Sequence, residues 1–223
     1  MEADLRVLRN SKLLRMLPQT VLCRQVLPHG RRAVYSKGQM LIEPGDCVDR
    51  FGILVSGSVH IMHIFSDGTC SLMSVLTAGE VTGADLICTR SRISPYHAVA
   101  GTAAEVLWFP ARLLTEQGLL EENCRLQVLG SLLQLVSHEN MKKEYRLAIL
   151  SRRGLRERIV TYLSMQAARQ GTLTFTIPFS REELAAFLCV NRSALSHELG
   201  LMRKEGLLEV RKNQFTLKNF RVE

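Results

Sequence analysis

The stretch VNRSALSHEL, residues 190–199, gathers an arginine, two serines and a histidine among a few apolar residues. At helical spacing Leu195 and Leu199 share one face, and Arg192, Ser193, Ser196 and His197 fall on the outer side. An arginine can fork onto the edge of a guanine, serine is compatible with several bases, and histidine is a weaker, pH-dependent donor. The chemistry this face offers is recognition of polar edges, such as those a DNA major groove presents.

Catalysis is a poorer fit to the same residues. Ser196, His197 and Glu198 are neighbours in sequence, and neighbours on a helix diverge by about 100°, too far to form a proton relay. Glu182 and Glu183 diverge likewise and sit in a first helical turn, where acids complement the helix dipole. The chain carries no Walker loop, no G-x-S-x-G and no metal-binding helix motif, so no catalytic residue and no metal ligand is assigned.

The elements that must position this face are legible around it. Ser180, with Glu183 three residues on, forms a capping box that opens a helix running to about Leu188. CVN (189–191) interrupts it, and a second helix follows, which makes a helix-turn-helix. GLLEVRKNQFTL (206–217) reads as two strands about Lys212 and Asn213, a small wing. Residues 151–223 hold 13 Lys and Arg against 7 Asp and Glu, a balance of +6, whereas residues 1–150 hold 16 against 14, a balance of +2. Most of the formal net charge of +8 therefore lies in the last third, which favours an anionic partner such as nucleic acid.

Upstream, residues 31–110 read as short strands punctuated by the turn signals EPGD, SGS, SDG and AGE, the pattern of an antiparallel barrel or roll. In SVHIMHIF (58–65), Val59, Ile61, His63 and Phe65 share one face, with His60, Met62 and Ile64 on the other. From Glu121 the period changes. Leu126, Leu129, Leu133, Val136, Asn140, Lys143, Leu147 and Leu150 step by three and four, the seam of a long helix able to pair with its own copy. Leu132 and Leu135 widen the apolar face, so one flank is expected on the roll and the seam on a partner. SRRG (151–154) reads as a hinge, and a new helical pattern begins at Leu155. The expected fold class is α+β: an effector-sensing β-roll of the jelly-roll type over 1–120, a dimerisation helix over 121–150 and a winged helix-turn-helix over 151–223.

At 223 residues and 46% hydrophobic, the chain can bury a substantial core. No apolar run reaches the roughly eighteen residues of a membrane span, and the acidic N-terminus is unlike a signal peptide, so a cytoplasmic protein without a membrane partner is expected. The cysteines at 23, 47, 70, 88, 124 and 189 form no C-x-x-C pair and are expected to be reduced and mostly buried.

In the order of its elements the whole chain resembles the Crp/Fnr family of bacterial transcription regulators. The stretches that carry the likeness are GSVHI, DGT and TAGEV in the roll and FSREELAAFLCVNRSALSHELGLMRKEGLLEV in the C-terminal module. The resemblance implies a homodimer that binds palindromic sites on double-stranded DNA, RNA polymerase as a partner, and a recognition helix over residues 190–202. Ser180, Arg181 and Lys212 join Arg192, Ser193, Ser196 and His197 as DNA-binding residues. The family's recognition helix commonly carries Arg, Glu and a second Arg where this chain has Arg192, Ser193 and His197, so the target sequence does not carry over. Cys189 stands in the turn where such motifs often have glycine.

Family members that bind cyclic AMP hold the ribose with a Gly-Glu pair and the phosphate with an Arg-Ser pair, because a buried anion needs a fixed cation and donors. Here the first pair falls at Gly83 and Ala84 and the second at Ser94 and Pro95, with Arg90 and Arg92 nearby as substitutes for the missing cation. The effector is therefore an unknown small molecule, and the sensor space is expected between roll and long helix near Asn140. The cofactor is likewise unknown. An iron-sulfur sensor clusters cysteines near the N-terminus, where only Cys23 stands. Haem needs one or two axial ligands, and His29, His60, His63, His97, Cys47, Cys70 and Cys88 leave that redox or gas-sensing alternative open. A small-molecule effector module that does not bind DNA is the other rival, and it would need neither wing nor helix-turn-helix. Cyclic AMP is expected to bind no tighter than about 1 mM, roughly 4 kcal/mol. Calorimetry checks this, and a micromolar dissociation constant would show that Arg90, Arg92 or another pose replaces the missing cation.

Overall fold

Alternation of apolar and polar residues over short, turn-bounded runs builds the first part of the chain. The computed structural model describes residues 2–218. The strands β1 (Arg31–Tyr35), β2 (Met40–Ile42), β3 (Arg50–Ser56), β4 (Val59–Ile64), β5 (Cys70–Leu76), β6 (Val81–Thr82), β7 (His97–Ala100) and β8 (Ala104–Pro110) form two four-stranded sheets, in the orders β1-β8-β3-β6 and β2-β7-β4-β5. The pairs β1·β8, β3·β8, β3·β6, β2·β7 and β4·β7 are antiparallel. Facing residues from both sheets fill the core, where Phe51 stacks on Phe109 at 5.5 Å and Ile53, Leu54, Val59, Ala98 and Val106 are buried. β4 is less two-sided than its alternation implies: Val59 is buried, but the residues from His60 to His63 are half-buried on both faces.

Helices that lacked a clear sequence signal precede and follow the roll: α1 (Glu2–Asn10), α2 (Gln19–Val21) and α3 (Arg112–Thr115). Ser11 is wholly buried, and its hydroxyl accepts from the amides of Leu13 and Leu14 at 3.2 Å, ordering the chain after α1. α4 (Glu122–Leu150) is one helix of 29 residues. Its inward face buries Cys124, Val128 and Leu132 in the core of the roll, with Leu129, Leu135 and Val136 packed partly against it.

By compactness the chain divides into two units, residues 1–64 with 73–141 and residues 65–72 with 142–223, so the division falls inside α4. In the second unit a bend over 151–154 leads to α5 (Leu155–Gln170), closed by Gly171 in the left-handed conformation. β9 (Thr174–Thr176), α6 (Arg181–Phe187), α7 (Arg192–Lys204), β10 (Leu208–Arg211) and β11 (Gln214–Leu217) follow. The three strands form a sheet in the order β10-β11-β9. The rings of Tyr162, Phe179 and Phe187 meet within 6.1 Å of one another, above the buried Leu184, Leu188, Leu195, Leu199 and Met202.

One expectation fails. Of the cysteines only Cys124 is buried, while Cys47, Cys70, Cys88 and Cys189 are exposed and Cys23 is half-buried. All are free thiols, and the four exposed ones lie at the ends of elements or in turns and loops, where composition says nothing about cover. Among the described residues no helix is long and apolar enough to cross a membrane.

Gly52 in β3 sits where the sheet packs closely on its neighbours. A Cβ there would lie 2.6 Å from Val106 Cγ1 and 3.1 Å from Trp108 Cε3. Gly52→Ala is expected to destabilise the roll by about 1–3 kcal/mol through overpacking. Trp108 is the sole tryptophan of the chain and is 3% exposed, so its fluorescence in a urea titration reads the effect directly.

Candidate nucleic-acid interface

Periodicity on α7 divides it into two faces. Leu195, Leu199 and Met202 are buried at 2% exposure or less, and Arg192, Ser193, Ser196 and His197 are exposed together on the other side. The start of the helix is fixed locally. Asn191 is its N-cap, and its side-chain oxygen accepts from the Ala194 amide at 2.7 Å and the Ser193 hydroxyl at 2.8 Å. The Ser193 hydroxyl is thus engaged in the cap. That leaves Arg192, Ser196 and His197 as the outer-face side chains the cap does not use.

α6 begins with the expected capping box. The Glu183 amide donates to Ser180 Oγ at 3.2 Å, and the Ser180 amide donates to Glu183 Oε2 at 2.6 Å. Between the helices Cys189 takes a left-handed backbone, φ +56°, which costs a residue with a Cβ roughly 1–2 kcal/mol. This is the conformation for which glycine is the usual occupant, and the turn is held by contacts that offset the strain. The Val190 amide donates to the Ala185 carbonyl at 3.0 Å, and Arg158 Nη1 donates to the Leu188 carbonyl at 3.2 Å. Arg146, 7% exposed, donates from Nη2 to Ser71 Oγ at 2.7 Å and to the Phe187 carbonyl at 3.3 Å, and lies 3.6 Å from Cys189 Sγ. Its guanidinium also covers the Phe187 ring at 5.3 Å. Burial pulls the Arg146 guanidinium below the ordinary arginine value, with Cys189 acting in the opposite direction.

Arg156, at the start of α5, fixes the other end of α7. Its Nε donates to Glu198 at 2.6 Å, and its two terminal nitrogens fork onto Glu205 at 2.8 Å each. Hydrogen bonding to Arg156 holds the Glu205 carboxyl below its ordinary value. The clamp spans two turns of α7 and neutralises two of the few acids in the module. Arg146 and Arg156 were both missed by sequence reasoning. Their partners lie 41 to 75 residues away in the chain, and no local pattern marks them.

The wing brings a third group of cations beside α7. Lys212, exposed and with φ +57°, occupies the turn between β10 and β11. Arg181 donates from Nη2 to the Lys212 carbonyl at 3.2 Å and lies over the Phe215 ring at 5.8 Å. Burial, and then the positive charge of Arg192, pull the Arg181 guanidinium below its ordinary value. An anion near both cations would be favoured. Arg181 thus stands at the wing turn beside the Lys212 backbone, with Ser180 as the cap of α6.

The residues expected around an effector do not share one environment. Gly83 has φ +75°, and a Cβ there would lie 2.9 Å from the Arg50 carbonyl oxygen. Ala84 and Ser94 are each 2% exposed, and the Ser94 hydroxyl donates to the Tyr96 carbonyl at 2.8 Å. Tyr96 in turn donates its hydroxyl to Asp85 at 2.8 Å. Arg90 and Pro95 are exposed, Arg92 sits half-exposed in a left-handed turn, and Asn140 is exposed on α4. On the seam, Leu126 and Leu133 are 56% and 68% exposed, and Leu129 and Val136 are half-buried. Among the described residues no three His, Cys, Asp or Glu side chains come together in a metal-holding arrangement.

Comparison with known proteins agrees with this architecture. The cyclic nucleotide-binding domain family matches residues 32–117, and the Crp-like helix-turn-helix domain matches residues 157–221. The chain is 24% identical over 191 residues to the global nitrogen regulator of Synechococcus elongatus, covering 83% of this chain and 84% of that protein. It is 25% identical over 194 residues to the fumarate and nitrate reduction regulatory protein of Escherichia coli, covering 85% and 75%. Among solved structures, FixK2 from Bradyrhizobium japonicum superposes with a TM-score of 0.65 at 20% identity, over 85% of this chain and 93% of that one. The c-di-GMP responsive global regulator CLP of Xanthomonas campestris gives 0.68 at 18%, over 90% and 100%. With its roll, its long helix and its helix-turn-helix in this order, the chain belongs to the Crp/Fnr family of transcription regulators.

Proposed function

We propose that the protein is a homodimeric, effector-responsive regulator that reads palindromic promoter sites, with RNA polymerase as its downstream partner. The observation that carries this reading is the polar face of α7, open to solvent along Arg192, Ser196 and His197, in a unit whose wing turn exposes Lys212. A helix so exposed on one face and so buried on the other can enter a major groove without disturbing its own core. The acids that would oppose DNA are largely occupied: Glu183 in the capping box, Glu198 and Glu205 by Arg156.

Dimerisation is supported by the second apolar stripe of α4. Leu126, Leu133 and Leu147 are 56%, 68% and 63% exposed, which is costly in water over so long a helix and is relieved by a symmetry-related copy. Two recognition helices would then meet half-sites about one helical turn, roughly 34 Å, apart. In this scheme effector binding shifts the seam, and the bend near Arg153 and Gly154 transmits the shift to the two recognition helices. A gel shift with a pool of intergenic promoter fragments tests DNA binding itself, and a complete absence of shifted complex would refute it.

Two further outcomes are expected. Arg192→Ala should cost about 1–3 kcal/mol on the selected site and relax preference at one symmetric pair of base positions. Lys212→Ala should weaken all sequences about equally and flatten the salt dependence, as loss of a phosphate contact does. Selection from a random pool, repeated for each variant, separates them: an unchanged consensus for Arg192→Ala would make Arg192 a phosphate clamp. For the seam, Leu126→Asp combined with Leu133→Asp should give a folded monomer, because each carboxylate buried against its mate costs several kcal/mol. Both positions are exposed in the single chain, so the roll stays intact, and a dimer persisting in sedimentation at micromolar concentration would place the interface elsewhere.

A further inference from the structure

Within the first unit a cleft of about 210 Å³ opens between α4, the turn before β6 and the segment after α1. Its floor is apolar, made by Leu76, Val81 and Leu135. Its rim is polar, and the two acids of that rim are occupied. Glu80 accepts from Lys12 at 2.5 Å through one oxygen and from the Thr77 amide at 2.8 Å through the other. Glu139 is engaged as well. Among the described residues, the Arg15 guanidinium, the Gln134 carboxamide and the His138 imidazole line the cleft without a hydrogen bond or ion pair, and all three are exposed. What remains unmatched is thus a permanent cation, a titratable donor and a neutral amide above a hydrocarbon floor.

That donor set suits one ligand class. A guanidinium forks onto a carboxylate, an amide and an imidazole supply further donors, and an apolar floor rewards a hydrocarbon body. The cleft is below the roughly 300–1,000 Å³ of ordinary small-molecule pockets, so its ligand has on the order of ten non-hydrogen atoms. None of Gly83, Ala84, Ser94 or Pro95 lines it. On α4, Gln134, Leu135 and His138 lie roughly 100 to 200° around the helix from Leu133, on the side away from the exposed seam. An occupant therefore presses on the dimerisation helix without entering the dimer interface.

We propose that this cleft is the effector site and that it takes a small monocarboxylate with an aliphatic or aromatic body, bound by Arg15 with Gln134 and His138. The assignment rests on the DNA-binding reading only for its regulatory consequence. In the test, benzoate, hexanoate, benzamide and inorganic phosphate are titrated calorimetrically into the full-length protein and into Arg15→Gln. The same ligands are then added to a gel shift on the selected DNA site. Benzoate or hexanoate should bind at low-millimolar concentration or better, at least tenfold tighter than benzamide or phosphate, and Arg15→Gln should remove that preference. Bound carboxylate should also shift the DNA dissociation constant at least threefold in the wild type and leave Arg15→Gln unmoved. Arg15 is exposed, so the variant keeps its fold and its basal DNA binding. Carboxylate binding weaker than about 10 mM, phosphate binding as tightly as benzoate, or an unaffected Arg15→Gln overturns the site. Binding with no change in DNA affinity overturns its role as effector. A protein that binds carboxylate through Arg15 yet retards no DNA instead refutes the DNA-binding reading and leaves the cleft standing.

Discussion

The arrangement depends on a single constraint: α4 is apolar on two faces, and the chain covers only one of them. Over about 44 Å of helix, Cys124, Val128 and Leu132 are sealed into the roll while Leu126, Leu133 and Leu147 stay in water. The same rod that completes the core of the roll carries a second, exposed apolar stripe, the surface on which the proposed dimer rests. The cleft beside Leu135 and His138 lies on that inner side.

The C-terminal unit solves a different problem, that of presenting positive charge from a small domain that also needs acids. Its carboxylates are put to structural use. Glu183 caps α6, and Glu198 and Glu205 share Arg156. Glu198 and Glu205 are paired inside the module, while Arg192 and Lys212 stay exposed. An exposed ion pair stabilises a fold by little, about 0–1 kcal/mol. The consequence of the Arg156 clamp is therefore geometric: it sets the rotation of α7, and so the direction in which Arg192 and His197 point.

The turn between α6 and α7 carries strain that a glycine would avoid. Cys189 is left-handed and is held by the backbone ladder from Ala185 and by neighbours that include Arg146. A guanidinium this buried is expensive to desolvate, and the Ser71 hydroxyl, the Phe187 carbonyl and the Cys189 sulfur are among the groups that meet it. It is retained next to the point where the recognition helix begins. The structural demand on the turn is thus met by packing rather than by residue choice.

Local patterns in the sequence were enough for much of this. The turn signals and alternation of residues 31–110, the three-four spacing of α4, the Ser180–Glu183 capping box and the wing about Lys212 each involve residues a few positions apart, where backbone geometry alone dictates the outcome. The polar face of α7 was legible for the same reason. What depends on residues far apart in the chain was not: the Arg156 clamp, the burial of Arg146, the exposure of most cysteines, and the convergence of Arg15, Gln134 and His138 on one cleft. Spacing gave no sign that Ala84 and Ser94 are buried, or that the Ser94 hydroxyl donates to the Tyr96 carbonyl; only the packed roll revealed it. Spacing determines which residues share a face. Which faces are covered, and which cations are left without a partner, is decided only when distant segments compete for the same contacts.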